Sequence, residues 1–232
     1  MAIITVSRQY GSGGEYVAER VAEKLGFKFL HKELIRIASI LMSTNEDKLK
    51  QFDEEEFSTT RAFLSKYFDF GMFHDMLNTT DYSEKTAKEV AMQEAETFFS
   101  KYNPDTTAFD SETFQEMIKK IIIKASDTTN AVIMGRGGVS ILAGVPDTLH
   151  FRLVADFEDR VRWLSARENI SKKEAGERIK EVDKRKEKYF KHHFSRQIDD
   201  PMIYHGVLNL SKLDIEEASL AIAATARIKF KL

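Results

Sequence analysis

The sequence predicts a three-layer α/β fold, in which helices cover both faces of a parallel sheet. Short, apolar, β-branched runs alternate with amphipathic helical patterns, and the clearest runs are residues 2–6 and 131–134. A glycine-rich turn follows each of these two runs. About five runs of this kind occur, each followed by a helical pattern, and right-handed crossovers then place helices on both faces of the sheet.

The first sixteen residues combine a strand, a glycine-rich turn and the start of a helix. Residues 7–14 read SRQYGSGG, and apolar residues recur at helical spacing from Glu15 onward. This order is typical of phosphate binding, because glycines let backbone N–H groups converge on an anion at a positive helix N-terminus. A plain strand-to-helix turn without a ligand is the open alternative.

The turn differs from the regular phosphate-binding pattern G-x-x-x-x-G-K-[ST]. Arg8 stands at the position of the first glycine, Gly14 at that of the lysine and Glu15 at that of the hydroxyl residue, while Gly13 matches. Arg8 is therefore a candidate to replace the missing lysine.

The remaining elements follow from periodicity and capping signals. We expect Gly26 to end the first helix, residues 27–30 to form a strand and His31 to begin a helix. Further along, the pattern predicts strands at 149–154 and 207–210, helices capped by Asp156 and Asp214, and a long charged helix from Ser171 to about Lys191 that opens with a Ser171–Glu174 capping box.

The long charged helix has two interpretations. Its apolar stripe, Ala175, Ile179, Val182 and Tyr189, is narrow, which is typical of a solvated surface helix. It is equally the pattern of a lid that brings Lys184, Arg185 or Arg196 over a polyphosphate.

The second glycine-rich turn, residues 135–138, carries one arginine. Arg136 lies between glycines after a buried strand, at the edge where open α/β sheets bind ligands, so it has room to reach a phosphate. A surface turn with an incidental arginine is the alternative.

Residues 43–130 lack strand patterns and are rich in phenylalanine. Ten of the seventeen phenylalanines fall between Phe52 and Phe114, and the spacing predicts three or more amphipathic helices. Such an aromatic stripe usually forms a core. It is also suited to packing on a second subunit, so a homodimer through this segment is one partner hypothesis.

Composition narrows the classes of function. The net charge of −2 argues against a nucleic-acid binder, and without cysteine there is no disulfide framework or thiol nucleophile. The six histidines show no metal-binding spacing, so no protein metal site is predicted. The absence of a leader or long apolar segment predicts a cytoplasmic protein without membrane contact.

Five segments together resemble the cytidylate kinase-like family, a divergent branch of the nucleoside monophosphate kinases among the P-loop NTPases. They are residues 3–14, 32–35, 132–137 and 183–189, and Asp200-Pro201 with Tyr204. The resemblance covers roughly residues 1–42 and 115–228, and SRQYGSGG is its most specific part. It implies a P-loop NTPase-like core (1–42 and 129–232), a lid at about 166–200 and a helical monophosphate-binding insert (43–128).

The resemblance also implies ATP with Mg²⁺ as the phosphoryl donor and a nucleoside monophosphate, with CMP as the first to consider, as the acceptor. The donor phosphates would lie on Ser7, Arg8, Gln9, Tyr10, Gly11, Ser12, Gly13 and Gly14. Arg8, Arg136, Arg160, Arg167 and Arg185 are the candidate catalytic residues, with Arg136 facing the acceptor. Departures from the family pattern include Glu15, His31 and Gly137, and Val182 and Tyr189 stand at the lid-arginine positions.

Three functions therefore stay open. The first is an ATP-dependent kinase, and the second is a nucleotide-binding regulator without turnover, which the missing lysine favours. The third is a homo-oligomeric interaction protein that uses the phenylalanine-rich segment and keeps the core as a scaffold.

Overall fold

The structure is a computed structural model, and it describes residues 1–31, Leu34 and residues 112–232. The chain divides into two compact units, one formed by Met1–His31 with Ala125–Leu232 and the other by Lys32–Lys124. The predicted boundaries at residues 42 and 129 stay a prediction.

Strands and helices alternate through the described residues. The strands are β1 (Ile3–Arg8), β2 (Lys28–Leu30), β3 (Ala131–Met134), β4 (Thr148–Val154) and β5 (Gly206–Asn209). The helices are α1 (Gly14–Leu25), α2 (Glu112–Thr128), α3 (Gly138–Ile141), α4 (Phe157–Glu168), α5 (Lys172–Phe194) and α6 (Ile215–Phe230), with a 3₁₀ turn at Pro201–Ile203.

The five described strands form one parallel sheet in the order β2-β3-β1-β4-β5. The predicted α/β class with a parallel sheet is confirmed. Strand β1 lies in the middle of the sheet, between β3 and β4, so the turn that follows β1 is flanked by the ends of both neighbours.

Two apolar clusters hold the first unit together. Side chains of the sheet pack with α1 and α6 in the larger cluster, which includes Ile4, Val17, Val21, Met134 and Ile222. A second cluster joins α4 to α5 through Val161, Leu164, Ala175 and Ile179. Helix α5 is therefore packed along its N-terminal half rather than fully solvated.

Capping signals place most helix boundaries correctly. Gly26 ends α1 in the left-handed conformation, and Asp214 begins α6 with a complete capping box to Glu217. Ser171 caps α5 by accepting from the N–H of Glu174. Asp156 stands at the start of α4, but its side chain makes no capping hydrogen bond, so that part of the prediction is wrong.

Of the five described strands, only β3 has the predicted bounds, and the other four differ from them by one or two residues. β1 runs two residues further than predicted, because Ser7 and Arg8 pair with Arg152 and Leu153 of β4. β5 begins at Gly206 and ends at Asn209, one residue earlier than predicted at both ends. The predicted helices at 43–111, the helix from His31 and the subunit-pairing role of the phenylalanines lie outside the described residues.

None of the helices in the described parts of the chain is long and apolar enough to cross a membrane.

Candidate functional site

Two glycine-rich turns lie at the same edge of the sheet. Residues 9–13 follow β1, and residues 135–137 follow its neighbour β3. Because the strands are parallel, their carboxyl ends meet at one edge, where open α/β sheets bind ligands. The sequence-predicted turns are thus neighbours in space.

The first turn is fixed to the end of β4. The N–H of Gln9 donates to the carbonyl of Leu153 at 3.0 Å, and its side-chain Oε1 accepts from the N–H of Ala155 at 3.0 Å. Gly11 and Gly13 adopt left-handed conformations (φ 79° and 77°), which glycine reaches without strain.

The main-chain N–H groups of this turn fall into two sets. The N–H of Tyr10 donates to Asp183 Oδ1 of α5 at 3.0 Å, and the N–H of Ser12 donates to the carbonyl of Gln9 at 3.5 Å. The N–H groups of Gly11, Gly13 and Gly14 have no hydrogen-bond partner among the described residues. These three lie at the N-terminus of α1, which is the arrangement that favours an anion.

An aspartate of α5 ties that helix to the turn. Asp183 accepts from the N–H of Tyr10 and forms an ion pair with Arg160 of α4, which is buried. Arg160 also donates from Nη1 to the carbonyl of Tyr10 at 3.2 Å. The turn, α4 and α5 therefore share one hydrogen-bonded cluster.

Positive charge is concentrated beside the turn. Nζ of Lys186 donates to the carbonyl of Arg8 at 3.3 Å and lies 5.5 Å from the centre of the Tyr10 ring. Burial, followed by the charge of Arg8, lowers the pKa of Lys186 to about 7. Burial likewise lowers the pKa of Arg8.

A buried arginine of β4 supports the same edge. Arg152 is 4% exposed, donates from Nη1 to Ser7 Oγ at 3.0 Å and pairs with Asp199. Its guanidinium lies 5.9 Å from the centre of the Tyr204 ring. The Nε atoms of Arg152 and Arg160 are buried without a hydrogen-bond partner.

A large cleft lies beside the first glycine turn, next to Gly11–Gly13. It has a volume of about 1040 Å³ and runs from Gly11–Gly13 to the segment between β5 and α6. Trp163 and Tyr16 contribute aromatic rings to its wall, and Leu213 and Ile215 contribute apolar side chains. The size and lining suit a flat apolar group of an organic ligand.

The five predicted arginines are placed unequally. Arg8, Arg136 and Arg160 lie around the first turn, and Arg8 and Arg136 are close enough to interact electrostatically. Arg167 lines the large cleft and is paired with Glu168 at 3.0 Å. Arg185 is exposed on α5.

Sequence reasoning singled out neither Asp183, Lys186 nor Arg152 as a site residue. The sequence did contain a signal for Asp183 and Lys186. They continue the stripe of Ala175 and Ile179 at helical spacings of four and three residues, and this stripe ends at the buried Phe190. Arg152 stands out as a charged residue between Phe151 and Leu153, in a strand whose residues are buried as far as Leu153. A charge at an apolar position of an element is the signal that all three share.

This fold and this site define a class of protein. The model of the cytidylate kinase-like family matches residues 3–212, which is most of the chain. The chain belongs to this family, and membership supports a nucleotide kinase-like function.

One curated relative is the cytidylate kinase of Methanocaldococcus jannaschii. It is 31% identical over 132 residues, which is 56% of this chain and 70% of that protein.

Solved structures show similar folds. An uncharacterized protein from Eubacterium ventriosum superimposes with a TM-score of 0.61 at 17% identity, covering 97% of this chain and 98% of that one. A shikimate kinase from Bacteroides thetaiotaomicron gives a TM-score of 0.46 at 13% identity, covering 100% and 99%. The first of these likenesses supports the α/β fold.

Proposed function

We propose that this protein transfers a phosphoryl group from ATP to a nucleoside monophosphate. The proposal is carried by one observation: three main-chain N–H groups without partners in the described residues lie at the N-terminus of α1, beside Arg8, Arg136 and Lys186. Phosphoryl transfer needs little more than positioning and neutralisation of phosphate charge, and no covalent intermediate.

The donor phosphates would bind at the N-terminus of α1. The N–H groups of Gly11, Gly13 and Gly14 supply donors there, and the helix dipole adds a partial positive charge. Because Gln9 and Tyr10 are held by β4 and α5, these donors are fixed before the ligand arrives. Preorganised donors lose little energy on binding, which is how such sites stabilise developing charge.

The base of the donor would bind in the large cleft. This cleft begins at Gly11–Gly13, so a nucleotide whose phosphates lie on the turn has its base within reach of Trp163 and Tyr16. Stacking on an aromatic ring suits a planar base. Arg167, which lines the same cleft, adds a guanidinium that stacks on such rings.

The acceptor would approach from the second glycine turn. Arg136 holds a left-handed conformation there (φ 53°) and interacts electrostatically with Arg8. An arginine fork fits a phosphate with two parallel hydrogen bonds. We therefore assign Arg136 to the acceptor phosphate.

Mg²⁺ belongs to this chemistry as the partner of the donor phosphates, whose charge it would neutralise. It prefers oxygen ligands and binds through substrate phosphates with one or two carboxylates. Glu15, in the first turn of α1, offers such oxygens, and its Oε1 lies 3.2 Å from Nδ1 of His31.

The direct test is ADP formation with ATP, Mg²⁺ and a panel of CMP, dCMP, UMP, AMP and GMP. We expect one acceptor to raise ADP formation well above the rate without acceptor. Arg136→Ala should abolish this activity, and Arg162→Ala, on the exposed side of α4, serves as the matched control. No ADP above background with any acceptor, from folded protein, would refute the proposal.

A second candidate is a nucleotide-binding regulator without turnover. One observation favours it: Arg160 and Arg167, both candidates to steady the transferring group, are already paired with Asp183 and Glu168. This function predicts that ATP raises the melting temperature while no ADP forms. Equal melting temperatures with and without ATP would exclude it.

A further inference from the structure

We propose that Arg8 takes the place of the P-loop lysine and that residue 14 is glycine because Arg8, together with Leu153 of β4, leaves no room for a side chain there. The inference rests on the proposed function in one respect, namely that the anion at this site is the phosphate chain of a nucleotide. It concerns which side chain supplies the positive charge.

The sequence shows an exchange between the two ends of the turn. In the regular pattern a glycine begins the turn and a lysine ends it. In this chain the arginine, Arg8, stands at the first position and a glycine, Gly14, at the last. Each version of the turn therefore carries one cationic side chain at these two positions, at the last position in the regular pattern and at the first in this chain.

The structure gives a steric reason for this exchange. A Cβ built on Gly14 would lie 2.9 Å from Cβ of Arg8 and 3.0 Å from Cδ1 of Leu153, closer than side chains tolerate. The backbone itself does not require glycine, because Gly14 is the first residue of α1 and has no positive φ. The Cβ of Arg8 and the side chain of Leu153 therefore together crowd position 14, and Arg8 makes the shortest of these contacts.

Gly13 provides the contrast. Its φ is 77°, which favours glycine, and nothing lies within 4 Å of a Cβ built there. The two adjacent glycines are thus glycines for different reasons: one for its conformation and the other for the room it leaves to Arg8.

The guanidinium of Arg8 lies against the second glycine turn. Its Nη1 lies 3.1 Å from a Cβ built on Gly135, and its Nη2 lies 3.4 Å from Nε2 of His31. Glu15 and Arg136 are its strongest electrostatic neighbours. Arg8 therefore lies between the start of α1 and the second glycine turn.

Within the described part of the chain, the charge of Arg8 is offset by carboxylates only at a distance, by Glu15 and Asp183. No carboxylate of the described residues forms an ion pair with it, although burial lowers its pKa. Arginine keeps its charge at neutral pH, so this half-buried cation is stabilised by an anion bound beside it.

The test measures binding of inorganic tripolyphosphate by calorimetry to the full chain, with melting temperatures recorded for each variant. Arg8→Met keeps the aliphatic stem and removes the charge, and we expect it to weaken binding roughly 10- to 100-fold. Arg8→Lys keeps a positive charge that binds phosphate as a point charge, so it should retain affinity within about threefold. Arg20→Ala is the control, an exposed arginine of α1 that should bind as the wild type does.

The exchange itself is tested by moving the cation back. Gly14→Lys alone should bind poorly, because its side chain meets Arg8. The double variant Arg8→Gly with Gly14→Lys should recover affinity to well above that of Arg8→Met. Should both Gly14→Lys variants fail to fold, the comparison of Arg8→Met with Arg8→Lys decides alone.

The outcomes separate this inference from the proposed function. Wild-type binding by Arg8→Met, or a folded double variant no better than Arg8→Met, overturns the inference and leaves kinase activity to its own assay. Arg8-dependent binding of tripolyphosphate without any ADP formation supports the inference and overturns the kinase proposal. Failure of the wild type to bind tripolyphosphate overturns the inference.

Discussion

The ion pair between Asp183 and Arg160 should be among the most important polar contacts for the stability of the first unit. We expect Asp183→Ala to lower the free energy of unfolding by about 2–4 kcal/mol. Removing one partner of a buried pair typically costs about 3–5 kcal/mol, and the lower value applies because the carboxylate is 21% exposed. The variant also leaves the N–H of Tyr10 without its acceptor.

A double-mutant cycle shows whether the two side chains act as a unit. Arg160→Met keeps the packing of the arginine stem and removes its charge. If the charges mainly stabilise one another, the double variant should cost about as much as either single variant, which corresponds to a coupling of about 2–4 kcal/mol.

Urea unfolding measures these values through the fluorescence of Trp163, the chain's only tryptophan. It lies on α4, three residues after Arg160, so it reports on the first unit. Asp159→Ala is the control, because that carboxylate is similarly exposed (23%) but its partner Arg162 is on the surface. The control should cost under about 1 kcal/mol. The reasoning fails if Asp183→Ala costs no more than the control or if the two single effects simply add.

Three further predictions concern other parts of the first unit. Burial lowers the pKa of His150 to about 4, with a contribution from the charge of His205. Below pH 6.5 the unfolded state therefore binds more protons than the folded state. The free energy of unfolding should consequently fall by up to roughly 3 kcal/mol between pH 6.5 and pH 4. His150→Gln should remove that part of the pH dependence in urea titrations, and an unchanged slope would contradict it. Gly137→Ala should lower the free energy of unfolding by about 2 kcal/mol more than Gly144→Ala, as measured by thermal or urea unfolding. Both glycines have a positive φ, but only at Gly137 would the added Cβ meet a ring atom, Phe194 Cζ, at 2.0 Å. Equal costs would show that the ring moves aside freely. The pKa of Lys186 is lowered to about 7, so above pH 7 the unfolded state binds more protons at this residue than the folded state. The stability of the wild type should therefore rise between pH 7 and pH 9 relative to that of Lys186→Met. The control variant Lys184→Met, at an exposed position, should follow the wild type. Parallel curves for the wild type and Lys186→Met would contradict the assignment.

The strands could be predicted because buried parallel strands are continuous apolar runs, which local sequence reveals. The two polar residues that end β1 could not, since Ser7 and Arg8 join the strand only through pairing with β4. The missing side-chain cap at Asp156 could not be predicted either, since the Asp156 carboxylate lies 3.8 Å from Nζ of Lys212, a residue far away in the sequence.

The site could be predicted only in outline. Glycines mark the two turns, because conformation and close approach demand them, and Arg136 was found between two of them. The division of the first turn into bonded and unbonded N–H groups depends on Asp183, which comes from a helix far along the chain. No local pattern reports such a contact, although a charge on an apolar stripe indicates that one exists.

The contacts of α5 bear on the idea that this helix is a lid. Asp183 and Lys186 bind the backbone of the turn itself, at the N–H of Tyr10 and the carbonyl of Arg8. Lifting this part of α5 would separate Asp183 from the buried Arg160, at a cost of roughly 3 kcal/mol, which would leave the open form populated below about 1%. The middle of α5 therefore acts as part of the wall that holds the turn, and any closing motion over a bound nucleotide should involve other residues of the segment 166–200. Hydrogen exchange tests this: the amide of Tyr10 should be protected at least about 100-fold relative to an amide without a hydrogen bond, and much weaker protection would show that α5 lifts off more readily.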